Sequence, residues 1–116
     1  MQFEVSNTLG AGFLEKVYEN ALCVEFGRTG IPYSRQQQYG IEYKSKIVGN
    51  YIADIVVDNK LLIELKALSA LNRDHEAQVM NYLKASGLSV GLLINFGTSR
   101  IGMKRIVWKH DESKRI

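Results

Sequence analysis

The chain holds one cysteine, Cys23, one proline, Pro32, and one tryptophan in 116 residues. A lone cysteine excludes an intrachain disulfide framework and any cysteine-ligated cluster or zinc site built within one chain. No stretch approaches the ~18 consecutive apolar residues of a membrane span, and the N-terminus lacks the basic-then-apolar pattern of a secretory signal. A cytoplasmic protein with no membrane partner is expected. Internal repeats and low-complexity segments are absent, as are helix-turn-helix, zinc-finger and aromatic RNA-binding patterns. Gly10-Ala11-Gly12 is too short a glycine run to argue for a phosphate loop.

What is present describes an ordinary globular chain, 46% hydrophobic and 23% charged. Residues 1–116 read as one domain, long enough to bury roughly two-thirds of the unfolded surface. A net charge of +3 leans mildly toward anionic partners and permits nucleic-acid binding without demonstrating it.

Hydrophobic periodicity divides the chain into elements. Residues 13–29 read as a helix with an apolar stripe of Phe13, Leu14, Val17, Tyr18, Ala21, Leu22 and Val24, closed by Gly30 in a left-handed cap. Residues 33–43 alternate as a strand, Lys44-Ser45-Lys46 is a turn, and 47–57 form a second strand with a bend at Gly49-Asn50. A third strand spans 61–67. A second helix over 72–85 ends at Gly87, and the apolar run 88–96 has the character of a strand covered on both faces. A last strand spans 101–108. The order α-β-β-β-α-β-β implies an α/β layered sheet with a right-handed crossover through the second helix. His110 belongs to a polar tail, 109–116.

Two of these strands carry charge where it is costly. Tyr51-Ile-Ala-Asp-Ile-Val-Val-Asp-Asn-Lys-Leu-Leu-Ile-Glu-Leu-Lys-Ala67 is two β-branched runs around a polar turn, a hairpin signal. Asp54, Glu64 and Lys66 interrupt those runs, and a carboxylate is expensive to bury without a cation beside it. Loop length decides whether they meet. With a three-residue loop, Asp58-Asn59-Lys60, Val57 opposes Leu61 and Asp54 opposes Glu64, while Lys66 shares the face of Glu64. Asn59 then supplies the left-handed residue such a loop needs. A two-residue loop would set Asp54 against Ile63 and part the carboxylates. The cluster reading, a cation site with an ammonium beside it, therefore requires the odd loop. The plain alternative makes Glu64 and Lys66 the solvated edge of an amphipathic strand.

Other polar residues have plain readings too. Glu15 alone is an exposed helix residue, Tyr18 a core residue, Gln78 a surface amide and Tyr82 a packing residue. His75, with no partner histidine at ligand spacing, suits a solvated or hydrogen-bonding role. Cys23 suits a small buried hydrophobe.

Taken together, the segments resemble a known family. Gly12-Phe-Leu-Glu15-Lys-Val-Tyr18 is similar to the Gly-x-x-Glu-x-x-Tyr signature of the GxxExxY proteins, within the PD-(D/E)XK nuclease superfamily. Asp54…Glu64-Leu65-Lys66 resembles the superfamily's site, Gln78-Val-Met-Asn-Tyr82 its RecB-like Gln-x-x-x-Tyr element, and Gly91–Gly97 the strand that follows. The match runs from about residue 9 to residue 107. It departs at Ser6, where members often carry histidine, and at Ala11, often proline; residues 1–8 correspond to a shortened N-terminal helix.

The resemblance implies a restriction-endonuclease-like three-layer core around a mixed sheet. It further implies a nuclease hydrolysing phosphodiester bonds in DNA or RNA with Mg²⁺ or Mn²⁺. Asp54, Glu64 and the Leu65 carbonyl would hold the metal, whose preference is for hard oxygen donors. Lys66 would orient the attacking water, and Glu15 would complete the site. Gln78 and Tyr82 would contact the substrate or support Lys66, with nucleic acid tracking over the N-terminal half of the second helix near Arg73 and Lys84. The alternative is a nucleic-acid-binding or assembly module that keeps the fold without turnover. The chain's small size suits a need for partners or a homo-oligomer.

Overall fold

The structure, a computed structural model, describes residues 2–98 and 100–109; His110 and the rest of the expected polar tail beyond Lys109 lie outside them. Helices α1 (Gln2–Leu9) and α2 (Glu15–Thr29) precede strands β1 (Tyr33–Tyr43), β2 (Lys46–Val57) and β3 (Leu61–Lys66). Helix α3 (Arg73–Ser86) leads to β4 (Val90–Asn95) and β5 (Gly102–Val107). The expected order thus holds, with α1 standing in front of it. Among the described residues the strands form one five-stranded sheet in sequential order. Neighbours are antiparallel except β3 and β4, which α3 joins in parallel.

Two cores lie on opposite faces of this sheet. Tyr18, Leu22, Cys23 and Phe26 of α2 pack on Ile55, Ile63, Leu65 and Ile94. Val79 and Leu83 of α3 pack on Val56, Leu62, Leu93 and Ile106. The buried face of α2 differs from the expected stripe. Leu14 is 79% and Val24 60% exposed, whereas Glu19 is only 4% exposed. Stripe membership follows from where the sheet lies, and Glu19 falls on the same side as Leu22 and Phe26.

Local signals set the element ends. Gly30 closes α2 at φ 71°, in the left-handed region that costs a residue without Cβ least. Asn72 caps α3: its side chain accepts from the backbone N–H groups of Asp74 (2.9 Å) and His75 (3.2 Å), and His75 Nδ1 accepts from the Asn72 N–H in return. That gives His75 a hydrogen-bonding role. The β1–β2 connection is shorter than expected, with Lys44 and Ser45 both at positive φ and Lys46 already paired to Tyr43. The irregularity in β2 falls at Val48, left unpaired between Ile47↔Glu42 and Gly49↔Ile41, beside the expected bend at Gly49-Asn50. The β2–β3 loop is Asp58-Asn59-Lys60, with both Asp58 (φ 51°) and Asn59 (φ 55°) left-handed, and Val57 pairs with Leu61.

Candidate active site

The odd loop brings the carboxylates together, though not as a ladder pair. Pairing between β2 and β3 runs Val57↔Leu61, Val56↔Leu62, Ile55↔Ile63. It stops one step short of Asp54 and Glu64, whose side chains bridge the strands instead. The Leu65 N–H donates to Asp54 Oδ2 at 2.9 Å, and the Asp54 N–H donates to Glu64 Oε1 at 3.3 Å. The Tyr51 hydroxyl donates to the same Glu64 oxygen. Each carboxylate thus satisfies a backbone N–H that a regular ladder would have paired with a carbonyl.

A change of phase in the sheet makes this geometry. In β2, Ile55 and Val57 pack in the α2 core, whereas Ala53 and Tyr51, two and four residues before Ile55, pack in the α3 core. Regular alternation would keep all four on one side. The phase reverses at Asp54, opposite Gln36, which lies between the pairs Arg35↔Ile55 and Gln37↔Ala53 and has φ 51°. The kink spreads β2 from β3 and opens the gap that the carboxylates fill.

Burial dominates the electrostatics. It raises the Glu64 carboxyl to about 7, with the neighbouring Asp54 charge adding to the rise; the bonds from Tyr51 and the Asp54 N–H, and the Lys66 ammonium, pull the other way. Asp54, half-buried, is also raised, first by burial; the Leu65 N–H opposes this, and the Glu19 charge adds to it. Lys66 is half-buried at the end of β3, and its charge favours the ionised form of both acids.

Glu19 is the residue that sequence reasoning missed. Its carboxylate accepts from Lys16 Nζ (3.1 Å), Arg35 Nε (3.1 Å), Arg35 Nη2 (2.7 Å) and Gln36 Nε2 (2.9 Å). It therefore ties α2 to the kinked segment of β1 that faces Asp54. A signal existed: Glu19 is an acid at helical spacing on the stripe of Leu22 and Phe26. Tyr51, which holds Glu64, was likewise readable only as an apolar strand residue.

The remaining expected residues are dispersed. Glu15 is exposed at the start of α2, lining a cleft with Ala67, Leu68 and Gly97 just past Lys66. Tyr82 is half-buried on α3, its ring stacked on Tyr51 at 3.3 Å between centroids, and the charges of Glu64 and Asp54 add to the rise that burial gives its hydroxyl pKa. Gln78 is exposed one turn earlier, and Arg73 is exposed at the first position of α3. Tyr18 is fully buried, stacked on Phe96, with its hydroxyl donating to the Gly10 carbonyl (2.7 Å) and accepting from the Phe13 N–H (3.1 Å). It fixes the loop that leads into α2. Leu65 is buried, its side chain in the α2 core.

The segment after Lys66 is held by the end of β4. Asn95, 2% exposed, accepts from the Leu68 N–H and donates to the Leu68 carbonyl, and the Phe96 N–H donates to the Lys66 carbonyl. Gly97 permits the close approach, since a Cβ there would lie 2.0 Å from the Leu68 oxygen.

Two acids from neighbouring strands, spread by a kink and flanked by a lysine two residues on, define a compact acidic centre. The family model of the PD-(D/E)XK nuclease superfamily matches residues 1–106. The chain belongs to that superfamily. A solved crystal structure, that of SSO0001, shares the fold of this PD-(D/E)XK chain with a TM-score of 0.64 at 20% identity, over 84% of the chain. The chain spans about half (52%) of the SSO0001 chain. None of the curated proteins matches it. Superfamily members are nucleases that generally use divalent metals. No helix among the described residues is long and apolar enough to cross a membrane.

The donor set of this PD-(D/E)XK chain suits such an ion in kind. Among the described residues no three His, Cys, Asp or Glu side chains are placed to hold a metal together, so an all-protein cage is not on offer. Two hard carboxylates match the habit of Mg²⁺ and Mn²⁺, which bind through one or two carboxylates and otherwise keep water ligands.

Proposed function

We propose that this protein is a divalent-metal-dependent nuclease of the GxxExxY group in the RecB-like branch, hydrolysing phosphodiester bonds in DNA or RNA. The observation that carries the reading is the pair Asp54 and Glu64. Two acids are drawn into one gap with their pKa values raised by burial, an arrangement unfavourable in the free protein and relieved by a cation. A phosphate-binding surface gains nothing from paired carboxylates.

Asp54, Glu64 and the Leu65 carbonyl are the ligands in this reading, for Mg²⁺ or Mn²⁺. Bound there, the ion supplies Lewis-acid polarisation of the scissile phosphate. Tyr51 fixes the rotamer of Glu64 by donating to Oε1. Lys66 orients the attacking water and offsets charge developing on the phosphate. Glu15, exposed on the cleft that Ala67 also lines, would complete the site from α2. Gln78, Tyr82 and Arg73 present hydrogen-bond donors along α3 to the substrate. The lone, buried Cys23 suits a reducing compartment, in keeping with the cytoplasm.

One observation favours the alternative, a nucleic-acid-binding module without turnover: no third acid joins the pair among the described residues. The two separate in one experiment. Thermal unfolding with and without millimolar Mn²⁺, together with cleavage of labelled DNA and RNA, is measured for wild type, Asp54→Asn and Lys66→Ala. The nuclease reading expects Mn²⁺ to raise the wild-type Tm, Asp54→Asn to lose most of that rise, and Lys66→Ala to keep it while losing cleavage. A wild-type melting curve unmoved by Mn²⁺, with any cleavage surviving both substitutions, refutes it.

A further inference from the structure

The sheet ends in two edge strands, β1 and β5, and only one of them is guarded. β5 carries Lys104 and Arg105, both exposed, a device by which soluble proteins keep a strand edge from pairing with another chain. β1 lacks it. From Gln37 to Tyr43 it holds no lysine, arginine or proline, and every residue there is paired to β2, because the irregularity at Val48 falls on β2. At ~3.4 Å per residue this leaves about 24 Å of regular edge open. The faces of the distal hairpin are uncovered as well. No residue from Gly40 to Asn50 is buried, and Ile41, Tyr43, Ile47 and Val48 are 40–63% exposed. A two-stranded ribbon is marginal in water by itself, and further strands stabilise it.

We propose that β1 pairs antiparallel with β1 of a second copy, in a closed two-fold dimer centred on Gly40 that joins the two sheets edge to edge. This interface goes beyond the nuclease reading and does not depend on it. In a two-fold antiparallel pair one residue faces its own copy, and residues equally far on either side of it face each other. Gly40 is the midpoint of the open edge from Gln37 to Tyr43, so this register uses all of it.

The edge fits its own reverse in this register. On the face toward α3, Tyr39 meets the second copy's Ile41, an aromatic and β-branched pair of the kind that stabilises neighbouring strands. On the other face Gln38 meets Glu42, and the carboxylate accepts from the amide. Glu42 is the one charged side chain between Gln37 and Tyr43, and it stands two positions from the axis, so like charges are not opposed. Gly40 leaves the axis clear on that face, and Ile47 leans into the space: a Cβ on Gly40 would lie 2.8 Å from Ile47 Cδ1. The Ile47 side chains of the two copies therefore meet across the Gly40 pair and lose exposed apolar surface there. An unrelated strand has to bring a donor for Glu42 and apolar neighbours for Tyr39 and Ile41. A second copy carries both by symmetry.

Analytical ultracentrifugation in EDTA tests the dimer. A strand-edge contact of this length is smaller than the ~800 Å² per partner of a standard interface, so a dissociation constant in the micromolar range is expected. Ile41→Lys combined with Tyr43→Lys, both at exposed positions, is expected to weaken dimerisation by about 10-fold or more. Val24→Lys, which removes a comparably exposed apolar residue from α2, leaves it unchanged. Disulfide cross-linking between Gln38→Cys and Glu42→Cys reads the register. A mixture of the two variants is expected to cross-link, whereas either alone, with its two cysteines four residues out of register, does not. Cys23 is buried and stays out of the reaction. The cysteine variants keep the apolar arm, so they decide the question even if the lysine variant fails to fold. A wild-type protein that stays monomeric at high micromolar concentration overturns the proposal, including one whose arm pairs only with a strand of another protein. Open-ended assemblies overturn it too, as does a dimer broken by Val24→Lys and not by the arm variant, or cross-linking no greater in the mixture than in either variant alone.

Discussion

Glu64→Gln isolates the electrostatic cost of the acidic centre in the metal-free protein. The Glu64 carboxyl titrates near 4.5 in an unstructured chain and at about 7 in the fold, raised first by burial and then by Asp54. Between those values the folded protein holds a proton that the unfolded chain has released, so stability falls as pH rises from about 4.5 to about 7. The penalty is absent below that window and complete above it. At ~1.4 kcal/mol per pH unit, the displacement corresponds to about 3 kcal/mol above neutrality. Glu64 is only 6% exposed, so solvent screening takes little from this figure. Glutamine keeps an oxygen for the Tyr51 hydroxyl and the Asp54 N–H but carries no charge. In EDTA at about pH 8 the variant is expected to be more stable than wild type by ~2–3 kcal/mol, or on the order of 5–15 °C in Tm; at about pH 5 the difference shrinks to below ~1 kcal/mol. Thermal and urea unfolding followed by circular dichroism at the two pH values measure it, and the difference between proteins cancels the titrating groups that do not interact with Glu64. A variant no more stable than wild type at about pH 8, or a gap that does not change with pH, refutes the argument that burial has raised this carboxyl.

Other consequences can be checked with the same assays. Asp54→Asn is expected to leave metal-free stability unchanged or raised, since it removes a like charge while retaining an acceptor for the Leu65 N–H; a loss of ~1–3 kcal/mol would instead mark a structural Asp54–Lys66 pair. Glu19→Ala, which strips the acceptor from Arg35 and Gln36, is expected to cost ~1–3 kcal/mol, discounted because Arg35 is partly exposed, and to weaken the Mn²⁺ response by loosening the kink opposite Asp54. Glu15→Ala, at an exposed position, changes urea-unfolding stability by less than ~0.5 kcal/mol, so any loss of cleavage from it reports on chemistry rather than folding. Gly97→Ala is expected to destabilise by ~2–4 kcal/mol in chemical denaturation, because its Cβ meets the Leu68 backbone rather than a movable side chain.

Sequence by itself determined the element order, the strand β1 at 33–43 and the helix ends at Gly30 and Gly87, because periodicity and capping are local and each residue type states its preference within a few positions. It also posed the right question about Asp54, Glu64 and Lys66, since a charge inside a β-branched run is anomalous wherever the run folds. The three-residue register was conditional in the sequence and became definite only when both Asp58 and Asn59 took left-handed geometry. The kink opposite Gln36 was decided by tertiary structure alone. Nothing local distinguishes Ala53 from Ile55, yet they face different cores because α2, through Glu19 and Arg35, holds one half of the hairpin and α3 covers the other. The same holds for Glu19 against Glu15: both are glutamates four residues apart on one helix, and only the sheet packed against α2 makes one a buried anchor and leaves the other in solvent.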